Sequence, residues 1–367
     1  MESKHLYQIA ITALDGVGPV IARNLISYCG SVESVFSSSL QELVRIPGIG
    51  KLTAQKLIAS RKAALKRAEK ELKFLDRNKH IQPIFYLDKD FSNRLKFCSD
   101  APLMVYFNGN VDLNANRMIA VVGTRRMSNY GRKLIETFIE QIAGTGVIVV
   151  SGLAYGVDTY VHKVCVQHQV ATIGVLAHGL DRIYPATNKK LAKAMVKHGG
   201  LISEYTHETN PDRENFPSRN RIIAGLSDAT VIIESKKQGG SLITGDLAIS
   251  YHRDVFAFPG RVNDENSSGC NAFIKQQKAL LIEQAGDLFA QLGWEQSIVK
   301  KNAQRRLFVD LAENERIIVK ALAGTSSSPE EISIKSSLPL SQVNTHLLNL
   351  ELKGVIRSIP GNLYIVN

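Results

Sequence analysis

Met118-Ile119-Ala120-Val121-Val122-Gly123-Thr124-Arg125-Arg126-Met127-Ser128-Asn129-Tyr130-Gly131 decides the fold of this 367-residue chain. Five apolar residues in a row fit a strand buried on both faces, as in a parallel sheet. A glycine turn follows, and Ser128 or Asn129 can cap a helix over Arg132 to Ala143. The same apolar signature returns at 147–150, 171–176, 201–203, 230–233 and 255–258, with stretches of helical pattern between, such as Ser241 to Tyr251. Strand–helix alternation of this kind predicts an α/β, Rossmann-like, doubly wound and mostly parallel sheet over residues 81–290. The order of its strands is not legible in the sequence.

In such a sheet, ligands bind where the carboxyl ends of strands meet helix N-termini. The polar clusters fall there. Gly123 allows a close turn, and Arg125 and Arg126 add positive charge, so that backbone N–H groups, a helix dipole and guanidinium make an anion site. The alternative is that the arginines only salt-bridge a neighbouring helix. Ser151-Gly152-Leu153-Ala154-Tyr155-Gly156-Val157-Asp158 lets a phosphate or base approach the backbone at Ser151 and Gly152. Asp158 is expected to cap the next helix. His178 and Asp181 invite an acid–base reading, but no nucleophile or second carboxylate stands at a telling spacing, and a structural role is favoured.

The most informative run is Asn215-Phe216-Pro217-Ser218-Arg219-Asn220-Arg221. Arginines for phosphates and an aromatic for bases are the working combination of sequence-tolerant single-strand binders, so Phe216, Arg219, Asn220 and Arg221 are candidate DNA contacts. Phe216 is equally readable as a core residue. Gly240 and Ser241 offer backbone donors before a further helix. Neither G-x-G-x-x-G at the first loop nor G-x-x-x-x-G-K-[ST] anywhere signals a dinucleotide or ATP.

Composition agrees. The chain is 44% hydrophobic and 22% charged, ordinary for a globular protein, but its formal net charge is +11. That excess attracts polyanions, nucleic acid and acidic membrane surfaces among them. The four cysteines form no C-x-x-C pair, which argues against zinc and against a disulfide framework. No secretory signal or spanning run is seen, so a cytoplasmic location is expected.

Two smaller units flank the core. Residues 1–80 carry Leu14-Asp15-Gly16-Val17-Gly18-Pro19 and Ile46-Pro47-Gly48-Ile49-Gly50-Lys51, each with the spacing of a helix-hairpin-helix turn, and end in a charged helix around Arg61–Lys70. Such hairpins contact phosphates without reading sequence, or simply join two helices. Behind a basic linker, 291–308, residues 309–367 read as a winged helix: helices over 314–323, 329–336 and 340–353, then a hairpin turning at Pro360-Gly361-Asn362. Its third helix offers Gln342, Asn344, His346 and Asn349, with Lys353 offset by Glu351. So polar a face argues for weak DNA contact or a protein-binding role, the latter preferred.

These motifs together resemble the DNA-processing protein A (Smf) family of bacterial recombination mediators across residues 118–282. The resemblance is carried by G-x-R-x-x-S-x-Y-G from Gly123, S-G-L-A-x-G-[IV]-D from Ser151, G-L-D-x-x-Y-P-x-x-N from Gly179, F-P-x-R-N-R-I-I-A-G-L-S from Phe216, and G-S-L-I-T from Gly240. It implies binding of single-stranded DNA, loading of the RecA recombinase during natural transformation, no catalysis and no cofactor. It also implies a homodimer through the last helix and strand, with Phe273, Ile274 and Leu280 as candidates, although these residues would serve equally as a core layer. Ala177-His178 and Gln277-Lys278 depart from the family's usual residues. Two other readings stay open: a nucleotide hydrolase using Glu204, Asp181 or Glu234, and a duplex binder whose flanking domains carry the affinity.

Overall fold

The computed structural model describes residues 3–294, 311–322, 327–353, 355–359 and 363–366. The basic segment 300–306 and the turn 360–362 lie outside the described residues. The chain divides into a unit of residues 1–294 and a second of residues 295–367.

The first unit is organised by a nine-stranded sheet. In chain order its strands are β1 (Gln82–Phe85), β2 (Met104–Gly109), β3 (Met118–Val122), β4 (Ile148–Ser151), β5 (Thr172–Val175), β6 (Gly200–Ser203), β7 (Ala229–Ile232), β8 (Asp254–Ala257) and β9 (Leu280–Leu281). Their order across the sheet is β1-β2-β6-β5-β4-β3-β7-β8-β9. From β6 to β9 every neighbour is parallel, and β2 lies antiparallel to both β6 and β1. The chain thus winds outward from β3 in one direction to β6, then returns to start again at β7. The reversal falls between β3 and β7, which is where an open α/β sheet forms its ligand crevice.

All six central strands expected from the apolar runs are present within a residue or two. Strands β1, β2 and β9 add to that reading. Pro83 at the sheet margin obscures β1, since a missing N–H is tolerated only on an edge strand, and β9 is two residues long. The helix after β3, Asn129–Ile142, buries Gly131, Ile135, Phe138, Ile139 and Ile142, a single stripe at helical spacing. Ser128 caps it, its hydroxyl accepting from the Gly131 N–H at 3.1 Å.

The N-terminal helices are joined by the two glycine turns, with Gly16 at φ +73° and Gly48 at φ +82°, so each turn uses a conformation that favours glycine. Gly18 and Gly50 stand at the N-caps of helices Pro19–Cys29 and Lys51–Arg77. The long helix is not separated from the sheet. Leu57, Ala64, Ala68 and Leu75 share one core with Phe85, Met104 and Tyr106 of β1 and β2. Side-chain contacts with the loop after β6 fix it further: Arg67 donates to the Thr206 hydroxyl at 2.8 Å, the Glu71 carboxylate accepts from the His207 N–H at 2.9 Å, and Phe74 stacks on the His207 ring at 4.6 Å.

The second unit is a winged helix. Helices Glu313–Ala321, Pro329–Ser336 and Leu340–Leu352 bury Ile318, Ile332, Val343, Leu347 and Leu350 between them, and β10 (Ile356–Ile359) pairs antiparallel with β11 (Leu363–Val366). The partner of Lys353 is Glu315, at 2.7 Å, rather than Glu351. Glu351 instead accepts from the Ser358 N–H at 3.0 Å, tying the third helix to the wing.

Candidate nucleic-acid interface

Four of the loops singled out in the sequence meet at the carboxyl edge of β3, β4, β5 and β7. The loop after β3 is held from beneath by Glu234, a fully buried residue just after β7. Its carboxylate accepts from both the N–H (2.9 Å) and the hydroxyl of Ser128, and its carbonyl accepts from the Thr124 N–H at 2.8 Å. The clamp leaves Arg125 and Arg126 exposed at the tip. The loop after β4 folds against it: Gly156, at φ +83°, brings a would-be Cβ within 2.3 Å of the Thr124 carbonyl oxygen. Asn188 pins the same loop from the other side, donating to the Leu153 carbonyl at 3.1 Å and the Thr159 hydroxyl at 2.7 Å.

Phe216, in the helix Asn215–Leu226, is half-buried rather than a core residue. The Arg125 guanidinium lies over its ring at 5.5 Å from the centroid and that of Arg219 at 5.9 Å. Tyr184, 49% exposed, meets the ring edge-on at a centroid separation of 6.3 Å. Tyr155, on the loop after β4, is 54% exposed. The sequence pattern assigns neither tyrosine a contact; the available signal is an aromatic inside each of the runs Ser151 to Asp158 and Gly179 to Asn188.

The structure separates the residues that the sequence grouped. The sequence pattern makes Arg219 a candidate phosphate ligand, but it is only 4% exposed. Its guanidinium donates to the Val175 carbonyl and lies beneath Gly152, where an added Cβ would come within 2.5 Å of it and 2.2 Å of the Asp158 carboxylate. Its placement is that of a support for the loop, because a guanidinium buried beneath Gly152 is not open to a strand in solvent. Asp158, expected as a helix cap, is instead the second residue of the helix Val157–Gln167, whose cap position is Gly156. Burial raises the Asp158 carboxyl and lowers the Arg219 guanidinium, and the attraction between the two opposes both shifts.

Arg221 lies apart from Phe216: it pairs with Glu204 and donates to the Asp100 carbonyl. Both line a cavity of about 860 Å³ against the first glycine hairpin. Ser151 is fully buried, its hydroxyl donating to the Val121 carbonyl at 2.6 Å, and the Ser241 hydroxyl donates to that of Ser235 at 2.8 Å. Gly123 and Asn220 are partly covered and Gly240 is exposed. Among the candidates, Arg125, Arg126 and Gly240 are exposed, and Phe216, Gly123 and Asn220 partly so, whereas Ser151, Gly152, Arg219 and Ser241 are buried.

Beneath the site His162 is fully buried. The Gly152 carbonyl can only accept, so Nε2 carries the proton and donates to it at 2.6 Å; Nδ1 lies 2.7 Å from the Thr172 hydroxyl, which is also 3.0 Å from the Val149 carbonyl. Burial lowers its pKa to about 4. His178 is also buried and lowered, its Nδ1 donating to the Gly179 carbonyl. The three carboxylates considered for hydrolysis are dispersed: Glu204 holds Arg221, Asp181 holds Arg182 and the Glu208 N–H, and Glu234 holds Ser128. No group of His, Cys, Asp and Glu able to hold a metal occurs among the described residues.

An open parallel sheet with a cation–aromatic cluster at its crevice, flanked by a hairpin domain and a winged helix, has the form of a nucleic-acid-processing protein. The family profile described as DNA recombination-mediator protein A matches residues 82–293, that of a SAM-like helix-hairpin-helix tandem matches 9–63, and that of the DprA winged helix domain matches 305–362. The chain belongs to the DNA recombination-mediator protein A (DprA/Smf) family. Protein Smf of Escherichia coli (strain K12) is 32% identical, over 81% of this chain and 80% of that protein. Protein Smf of Synechocystis is 28% identical, over 99% of this chain and 98% of its own length. Among solved structures, DNA processing protein A from Streptococcus pneumoniae superposes with a TM-score of 0.66 at 32% identity, covering 79% of this chain and 98% of that one. DNA processing protein A from Helicobacter pylori, whose structure concerns its single-stranded DNA binding mode, gives 0.53 at 26% identity, over 58% of this chain and 96% of that one.

Proposed function

We propose that this protein binds single-stranded DNA without sequence preference and helps to load the RecA recombinase onto it during DNA uptake, acting by binding rather than by catalysis. The observation that carries the reading is the Arg125–Phe216 pair: an exposed guanidinium over a half-buried ring at the sheet's crevice. A ring stacks on any base, and a guanidinium grips any phosphate, so the pair holds a strand without reading it. Gly123 and Gly240 let the backbone approach the strand, with Arg126 beside them; Ser128, Ser151, Gly152, Arg219 and Ser241 support the loops that do so.

The working form is proposed to be a homodimer. Phe273 is buried and Ile274 packs on the same core, whereas Leu280 and Leu281 on edge strand β9 are 45% and 50% exposed. An unpaired apolar edge is suited to meeting a second copy. The site of action is proposed to be the cytoplasm; no helix among the described residues is long and apolar enough to cross a membrane.

The test is binding of the intact protein to an oligothymidylate and to a duplex of equal length at two salt concentrations, followed by RecA filament nucleation with and without the protein. Preference for the single strand and a shortened nucleation lag are expected. Equal affinity for duplex, or an unchanged lag, contradicts the respective part of the proposal.

A further inference from the structure

The helix Lys51–Arg77 carries a feature that the crevice does not use. Lys62, Lys66, Lys70, Lys73 and Arg77 are spaced four, four, three and four residues apart, so they share one face. All five are exposed, and none of their side chains makes a hydrogen bond or ion pair among the described residues. The opposite face is the buried one, with Leu57, Ala64, Ala68, Glu71 and Leu75. At 1.5 Å per residue the cations run for about 22 Å.

A helix face turned only to solvent ordinarily interleaves both signs, because like charges at i,i+4 destabilise it. Glu69 and Asp76 stand at the margin of this stripe and do not interrupt it. The helix dipole accounts for Arg77, which lies in the last turn, but not for Lys62 or Lys66 in mid-helix. The helix is also fixed in place by the Arg67, Glu71 and Phe74 contacts to the loop at Thr206 and His207. That loop leads into the helix bearing Phe216, so the stripe is held at a set position relative to the crevice.

We infer that this stripe is a second DNA contact, taking the phosphates of the strand that continues beyond the crevice. The inference rests on the single-strand reading above and extends its footprint onto the hairpin domain. Five cations in a row neutralise phosphates without regard to base, and each phosphate contact adds to the salt dependence of binding.

The experiment compares the native protein with the variant Lys62→Gln, Lys66→Gln, Lys70→Gln, Lys73→Gln, Arg77→Gln. Binding is measured to oligothymidylates of about 8 and about 40 nucleotides and to a duplex, across a salt series. An unchanged thermal melt shows that the variant is folded, and the charge reversal Lys66→Glu with Lys70→Glu serves as an independent variant. Affinity for the short strand is expected to stay within about twofold. Affinity for the long strand is expected to fall at least about tenfold at low salt, with the slope of log K against log salt reduced by about three. An unchanged affinity and slope for the long strand overturns the inference, and so does a loss confined to duplex. Arg125→Ala on the short strand reports on the crevice alone, so failure of either site is seen separately.

Discussion

The Arg125 guanidinium lies 5.5 Å from the centroid of the Phe216 ring, although the two residues come from different elements, the loop after β3 and the helix after β6. The contact places a cation and a stacking surface side by side. Removal of the ring and removal of the charge should therefore differ in kind. Phe216→Ala is expected to cost about 1–3 kcal/mol of affinity for oligothymidylate, with little change in salt slope, whereas Phe216→Trp restores it. Fluorescence anisotropy at several salt concentrations checks both.

Gly152 is enclosed by the Asp158 carboxylate and the Arg219 guanidinium, at 2.2 and 2.5 Å from a would-be Cβ. Gly152→Ala is expected to lower stability by about 1–3 kcal/mol, because neither group can retreat without losing its buried partner. Thermal unfolding measures it, and a native melting temperature would show that the loop has slack.

Glu234 is buried and holds the Arg125 loop through both donors of Ser128. In Glu234→Gln the amide can accept only one of them, at a cost of about 1–3 kcal/mol in stability. Single-strand affinity is expected to fall as well, although Glu234 itself is fully buried. Affinity unchanged at native fold content would detach the clamp from binding.

His162 is neutral in the folded state, since burial lowers its pKa to about 4 from the ordinary 6.5. Between those values the unfolded chain takes up a proton that the native one does not. Stability linked to this group is therefore full above about pH 6.5 and lost as pH falls towards 4, on the order of 3 kcal/mol in all. His162→Gln lacks the dependence, so the stability gap between native protein and variant should narrow from pH 7 to pH 5. Urea midpoints at the two pH values test it; a constant gap would show that His162 does not titrate in this way.

The sequence made the central parallel strands legible because each is buried on both faces and so reads as an unbroken apolar run. It also placed Gly123 and Gly152 just after strands and Gly240 at the start of a helix. Strand order escaped, because β3 and β7 are adjacent yet 106 residues separate Ser128 from Glu234. What the residues could not disclose was which arginine faces out. Arg125, Arg219 and Arg221 share one chemistry and sit in equally polar runs, but one caps the crevice, one lies under Gly152 and one turns to Glu204. Only the packing of neighbouring loops separates them.

The salt dependence of Arg125→Ala binding to a short oligothymidylate tests the site most directly. Loss of one phosphate contact should weaken binding and reduce the slope of log K against log salt by about 0.7. Native affinity with a native slope would contradict the placement of the strand at the Arg125–Phe216 pair.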